Sequence, residues 1–366
     1  MKISRPFLNL ACLCILLPAL LLIRDAGSQE LPVDTEDSAS SLGFSATQSA
    51  EIADFINQMA ARHGLGKQEL ETTFTKVRRS KRAIKLVLPA PPGKPKNWQA
   101  YRDRFVEPIR IRAGVAFWDN FEQDLDKAEK EFGVPAEIIV GIIGVESIYG
   151  RHVGSFRVLD VLTTLAFDYP DLPKRDARMA FFRSELEQAL LFARESKVDP
   201  LSLRGSYAGA IGWPQFMPGS IRRFGIDYDG DNKIDLRKSP QDAIGSVANY
   251  LVQHGWRRGD PTVFPVSVAA VNPERLEMLI NQGLEAKLDL RDLVSDGVQT
   301  RFSVPRDLKY GLIDLQNGED PTEYWLATNN FFAITKYNRS YFYAMSVVEL
   351  GKAVRTARNP AATASQ

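Results

Sequence analysis

Residues 133–150 read Gly133-Val134-Pro135-Ala136-Glu137-Ile138-Ile139-Val140-Gly141-Ile142-Ile143-Gly144-Val145-Glu146-Ser147-Ile148-Tyr149-Gly150. The run 138–145 carries no charge and reads as a helix in apolar surroundings, with Pro135 suited to its first position. Glu146 is the first charge after that run. An ionised carboxylate is costly to bury unpaired, and an apolar setting raises its pKa. A carboxyl group still protonated near neutral pH is what a general acid requires. The competing reading, that Glu146 marks a helix end and pairs with an arginine such as Arg151, stays open at this point.

Upstream, Ile52, Phe55, Ile56 and Met59 recur at helical spacing within residues 49–77. Pro89-Ala90-Pro91-Pro92-Gly93 with Pro95 breaks the pattern and reads as a stiff connector. Residues 98–132 resume it, with Val115, Trp118, Phe121, Leu125 and Ala128 on one stripe. Downstream, residues 168–178 form a polar loop before a helix expected over 179–195. From Thr262 to about Trp325, short β-branched runs and turn residues point to a small mixed or β-rich unit. Residues 340–355 close the chain as a helix with Phe342, Met345, Val348 and Leu350 inward.

The N-terminus has the form of an export signal. Lys2 and Arg5 precede an apolar stretch from Phe7 to Ile23, and Ala26-Gly27-Ser28 offers small residues for cleavage before Gln29. An uncleaved segment would instead serve as an inner-membrane anchor. Cys12 and Cys14, the only cysteines, lie inside this segment, so a cleaved product has no thiol. Neither follows the apolar core as a lipidated cysteine should.

Over all 366 residues the apolar share is 44% and the charged share 25%, as in an ordinary soluble globular protein. The formal charge of +1 gives no sign of a nucleic-acid partner. Cleavage after Ser28 would change 46 basic and 45 acidic side chains to 43 and 44. His63, His152 and His254 are scattered without a ligand spacing, which speaks against a zinc hydrolase. There is no Gly-x-Ser-x-Gly elbow.

Residues 205–218, Gly-Ser-Tyr-Ala-Gly-Ala-Ile-Gly-Trp-Pro-Gln-Phe-Met-Pro, suit neither helix nor strand but make a good groove wall. Glycines admit close approach, Tyr207 and Trp213 offer stacking faces, and Ser206 and Gln215 offer hydrogen bonds to hydroxyl and acetamido groups. A tight structural loop packed by its own aromatics is the plainer alternative. Residues 227–235, Asp-Tyr-Asp-Gly-Asp-Asn-Lys-Ile-Asp, place carboxylates at positions 1, 3, 5 and 9 of an EF-hand-like calcium loop. Asn232 replaces glycine at position 6, and Lys238 stands where a bidentate carboxylate is usual. Asp242 either ligates the metal or serves the helix that Ser239 caps.

Taken together, Glu146-Ser147-x-Tyr149-Gly150, residues 205–218, the aspartate loop and Tyr337-Asn338-Arg339-Ser340 resemble, in the same order, the B-type lytic murein transglycosylases of Gram-negative bacteria. The resemblance runs from roughly residue 48 to 357. It implies a mainly α (α+β) fold: a lysozyme-like helical core with a flanking helical domain and a small β-containing domain. The corresponding division is a signal at 1–28, a disordered lead-in at 29–46, a helical domain at 47–132 and a catalytic core with calcium loop at 133–258. A small mixed domain at 259–327, a closing segment at 328–357 and a disordered tail at 358–366 complete it.

The family cuts the β-1,4 bond between N-acetylmuramic acid and N-acetylglucosamine without water. By that resemblance Glu146 protonates the glycosidic oxygen and then, as carboxylate, takes the proton of the muramyl C6 hydroxyl, closing a 1,6-anhydro ring. Ser206 and Gln215 would orient sugar substituents, and Tyr101, Tyr250, Tyr337, Asn338 and Tyr343 would line the cleft. Asp227, Asp229, Asp231 and Asp242, with the Lys233 carbonyl, would hold a structural calcium. No organic cofactor is implied. The partners implied are peptidoglycan glycan strands and other cell-wall enzymes, and the protein is expected to be a monomer in the periplasm. The 168–178 loop is longer than the family usually has, so a different cleft rim is expected. A hydrolytic muramidase, a non-catalytic peptidoglycan-binding protein and, more distantly, a calcium sensor are the rival readings.

Overall fold

The computed structural model describes residues 43–89, 95–280 and 282–360. The export segment, residues 29–42 of the lead-in, residues 90–94 of the connector and residues 361–366 of the tail lie outside the described residues.

Helix α1 (Ala46–His63) starts at Ser45, whose side chain closes a capping box with Gln48. The cap thus draws Ser45 and Ala46 out of the expected lead-in and into the helical domain. Phe55, Ile56 and Met59 are buried on its inner face. Helices α2 (Lys67–Phe74) and α3 (Lys81–Leu86) follow. The single stripe expected over 98–132 is divided among α4 (Trp98–Arg102), α5 (Pro108–Asn120) and α6 (Glu122–Phe132). Pro108 and the Glu107 carboxylate, which accepts from the Ile109 and Arg110 amides, start α5 afresh. Phe121, at φ −122 and ψ 27, breaks α5 from α6.

Helix α7 (Ala136–Ser147) is the centre of the molecule. Pro135 is its N-cap rather than its first helical residue, at φ −56 and ψ 139. Every residue from Ile138 to Ser147 is buried, because α5, α6, α11 (Pro240–Gln253) and α15 (Tyr341–Arg358) pack around it. Fully burying each isoleucine or valine contributes about 1.5–3 kcal/mol. The helix ends where Ile148, Tyr149 and Gly150 take φ of 49°, 53° and 80° in succession.

Between α7 and α11 the chain forms β1 (Phe156–Arg157), α8 (Val158–Phe167), α9 (Arg175–Glu195), β2 (Arg204–Gly205) and α10 (Pro218–Phe224). Helix α9 begins four residues earlier than its apolar pattern suggests. Strands β1 and β2 pair antiparallel and join the two rims of the cleft described below.

The β-containing part comprises β3 (Val263–Ser267), α12 (Pro273–Ile280), β4 (Leu288–Asp289), α13 (Leu290–Ser295), β5 (Gln299–Thr300), β6 (Lys309–Asn317) and β7 (Asp320–Ala327). Its sheet is antiparallel in the order β4-β6-β7-β3-β5. Alternate residues of β6 face two cores: Tyr310 and Leu312 join a small local cluster, while Ile313 and Leu315 join the main one. Burial on both faces erases the apolar–polar alternation that would have marked the strand.

Helix α14 (Asn329–Tyr337) leads into α15. A Cβ at Gly141 would lie 2.3 Å from the Val347 carbonyl oxygen, and one at Gly351 would lie 2.2 Å from that of Glu137. α7 and α15 therefore touch backbone to backbone, which brings the start of α15 over the end of α7.

Candidate active site

Glu146 reaches its place from the last turn of α7 and is 8% exposed. Burial raises its pKa from 4.5 to about 7, against the opposing effect of a hydrogen bond from Tyr343. Tyr343 Oη donates to Glu146 Oε1 at 2.6 Å. Among the described residues no ion pair involves Glu146, so the pairing with Arg151 is not formed. Arg151 is exposed and lines the cleft beside the acid.

A tyrosine array backs this carboxyl. Tyr337 stacks on Tyr343 with centroids 6.3 Å apart and planes 17° apart. Tyr250 sits 4.8 Å from Tyr337, and Phe216 packs on both. The Tyr337 hydroxyl donates to the Pro214 carbonyl, and Tyr250 Oη donates to the Lys336 carbonyl at 2.8 Å. Burial and then the Glu146 charge push Tyr337 and Tyr343 well above the usual phenol pKa, and Tyr101 to about 12.

One cleft of about 600 Å³ brings together Glu146, Ser206, Gln215, Tyr250, Tyr337 and Asn338. Tyr343 and Tyr101 are not part of its lining. Tyr343 lies behind the acid, and Tyr101 packs on Phe105 and Phe342. Residues 205–218 are both a tight loop and a wall. Ile211 and Phe216 form a β-bridge, Ser206 Oγ accepts from the Ala208 and Ala210 amides, and Gln215, at φ 49°, donates through Nε2 to the Gly212 carbonyl. Tyr207 lines the cleft, whereas Trp213 packs on Phe117 and Gly150 and donates to the Arg237 carbonyl.

The remaining lining, His152 to Phe156 with Ser220 and Arg237, carries no motif that would have singled it out. The 168–178 loop does not contribute to this cleft. Asp168 instead accepts from Gln48 at 2.7 Å and from Arg79 at 2.5 Å, tying the loop to the helical domain. Helix α9 starts at Arg175, so the loop before it spans only residues 168–174.

In the aspartate loop, carboxylate oxygens of Asp227, Asp229 and Asp242 come within 4.8 Å of one another. Asp231 is outside that group. It is exposed, and its Oδ1 accepts from the Lys233 amide at 2.8 Å. Asn232 takes the left-handed φ of 68° required at position 6. Asp242 is 1% exposed and accepts from the Tyr228 and Asp235 amides, both at 2.8 Å. Ser239 caps α11 on the Asp242 amide and also donates to Asp229. Burial, joined by the charge of Asp229, raises the Asp242 pKa against those hydrogen bonds. Three converging acceptor-only groups fit a hard cation.

Among the described residues lining this cleft there is one carboxyl, buried and raised in pKa to about 7, set among aromatic and amide groups. The chain belongs to the transglycosylase SLT domain family, whose model matches residues 47–352. It is a lytic murein transglycosylase, an enzyme that cleaves peptidoglycan. It is 36% identical to the membrane-bound lytic murein transglycosylase B of Escherichia coli K12, over 94% of this chain and 97% of that protein. The soluble lytic transglycosylase SltB1 of Pseudomonas aeruginosa has a similar structure, with 44% identity and a TM-score of 0.76 over 84% of this chain and 99% of that one. The Escherichia coli lytic transglycosylase Slt35 in complex with calcium is 38% identical at a TM-score of 0.74, over 84% and 93% of the two chains.

Proposed function

We propose that Glu146 alone serves as acid and then as base in cutting the muramyl–glucosaminyl bond. One observation carries this reading: Glu146 is the only acidic side chain among the described residues lining the cleft. Ordinary glycosidases set two carboxyl groups about the scissile bond. Here the protonated Glu146 gives its proton to the glycosidic oxygen, which leaves with the bonding pair. The carboxylate then removes the proton of the muramyl C6 hydroxyl as that oxygen closes on C1, giving a 1,6-anhydro end and no water uptake.

Tyr343 supports the cycle from behind. Its donation to Oε1 leaves Oε2 to carry the proton, and it stabilises the carboxylate formed midway. Ser206, Gln215 and Asn338 orient the sugar substituents, while Tyr250 and Tyr337 form the apolar wall. Tyr101 packs on Phe105 and Phe342 and is assigned no contact with substrate.

Calcium, when bound, would supply positive charge that offsets the mutual repulsion of the aspartates, and Asp227, Asp229 and Asp242 would hold it. Residues 1–28 direct the chain to the periplasm of a Gram-negative cell, where glycan strands are its partner. No helix among the described residues is long and apolar enough to cross a membrane. Glu146→Gln, assayed on purified sacculi, tests the reading. The expected loss is at least a hundredfold in rate, about 3 kcal/mol of transition-state stabilisation, with substrate binding retained. Retained turnover would refute it.

A further inference from the structure

Arg237 follows the aspartate loop and lies in the cleft wall, part-buried. Its Nη1 donates to three main-chain carbonyls, those of Gly154 at 2.9 Å, Val153 at 3.2 Å and Arg204 at 3.4 Å. Its own amide donates to Asp235 Oδ1 at 3.1 Å, and its carbonyl accepts from the Trp213 indole at 3.1 Å. The guanidinium is therefore fixed in orientation by one nitrogen. Among the described residues Nε and Nη2 have no hydrogen bond, and the side chain has no ion pair. Burial and the charge of Arg204 push its pKa down, and Asp235 offsets this only in part.

Arg151 lines the same cleft, is exposed, and likewise has no ion pair among the described residues. Neither cation pairs with Glu146, the only acid in that lining. Asp235 offsets the burial of this cleft-lining guanidinium only in part, and a ligand anion in the groove would offset more of it.

We propose that Arg237 and Arg151 form an anion subsite in the cleft that takes a carboxylate of the peptide carried by the glycan's muramyl residue. The fork left by Nε and Nη2 matches the two oxygens of a carboxylate, and a charge-assisted pair of this kind is about twice as strong as a neutral hydrogen bond. Ser206, Gln215 and Asn338 suffice for the sugars, so the cations distinguish peptide-bearing strands from bare ones. The inference deepens the glycan-cleaving reading and rests on it for the identity of the ligand.

The test is a binding measurement that does not depend on turnover. Glu146→Gln protein is titrated calorimetrically with a soluble peptide-bearing disaccharide whose peptide carboxyls are free, and with the same compound after amidation. The free-carboxylate form should bind about tenfold more tightly, in line with one charge-assisted pair. Adding Arg237→Gln or Arg151→Gln should bring that ratio close to one. Arg237→Lys, which keeps the charge but loses the fork, should fall between. Equal affinity for the two compounds in the parent protein would overturn the subsite, as would arginine variants that weaken both equally. A wild-type enzyme that cut nothing, while the binding ratio persisted, would remove the assigned acid and leave the subsite standing.

Discussion

Tyr343 Oη and Glu146 Oε1 lie 2.6 Å apart although 197 residues separate them in the chain. Their meeting depends on the backbone contact between α7 and α15, where Gly141 and Gly351 leave no room for a side chain. The position of the Glu146 carboxyl is thus set by helix packing, and its proton affinity by the balance between burial and one phenol.

Removing that phenol should move the acid's titration. A hydrogen bond to a carboxylate favours its charged form and lowers its pKa. Tyr343→Phe should therefore raise the Glu146 pKa, shift the alkaline limb of the pH–rate profile upward and cut kcat roughly tenfold. A profile of unchanged shape would show that Tyr343 only packs.

Stability should vary with pH in the opposite sense to that of a salt-bridged acid. The folded pKa of Glu146 is raised from 4.5 to about 7, so the folded state holds the proton longer than the unfolded state. Stability is consequently lost as pH rises through that window. Glu146→Gln has no such titration and should be more stable than wild type above pH 7, by about 3 kcal/mol at most. The gain should fade toward pH 4.5, a trend readable from Tm at the two ends.

Gly141→Ala should cost about 2–4 kcal/mol, because the new Cβ would meet the Val347 carbonyl oxygen at 2.3 Å and backbone cannot swing aside. Denaturant unfolding measures that loss. Activity should fall with it, since separating α15 from α7 also separates Tyr343 from Glu146.

Calcium should raise Tm by several degrees, and chelation should reverse the gain. Asp242→Asn should remove the calcium response and lower Tm even without metal, because Asp242 also gathers the Tyr228 and Asp235 amides. Asp231→Asn should keep most of the response, since its carboxylate stands apart from the other three. Calorimetry with calcium or chelator separates these cases.

How much could be read in advance follows from where each signal resides. Glu146 was legible because an apolar run isolates it, and Ser239 with Asp242 because capping is local. Asp231 was expected beside Asp227, Asp229 and Asp242, and its carboxylate lies outside their group, since loop spacing does not say which side chains converge. The phenol behind Glu146 was misplaced as cleft lining because the α7–α15 contact is long-range. Arg237 carries no local pattern: its role arises when three carbonyls from distant segments converge on it. Pro135 and Phe121 show the limits of boundary reading, as one became a cap and the other a break.

The most direct test of the single-carboxyl account is mass spectrometry of the products released from sacculi in ¹⁸O-labelled water. The account requires muropeptides ending in 1,6-anhydromuramic acid, free of label, from wild type and none from Glu146→Gln. Reducing ends carrying ¹⁸O would contradict it, because water, and with it a second activating group, would then take part in the cut.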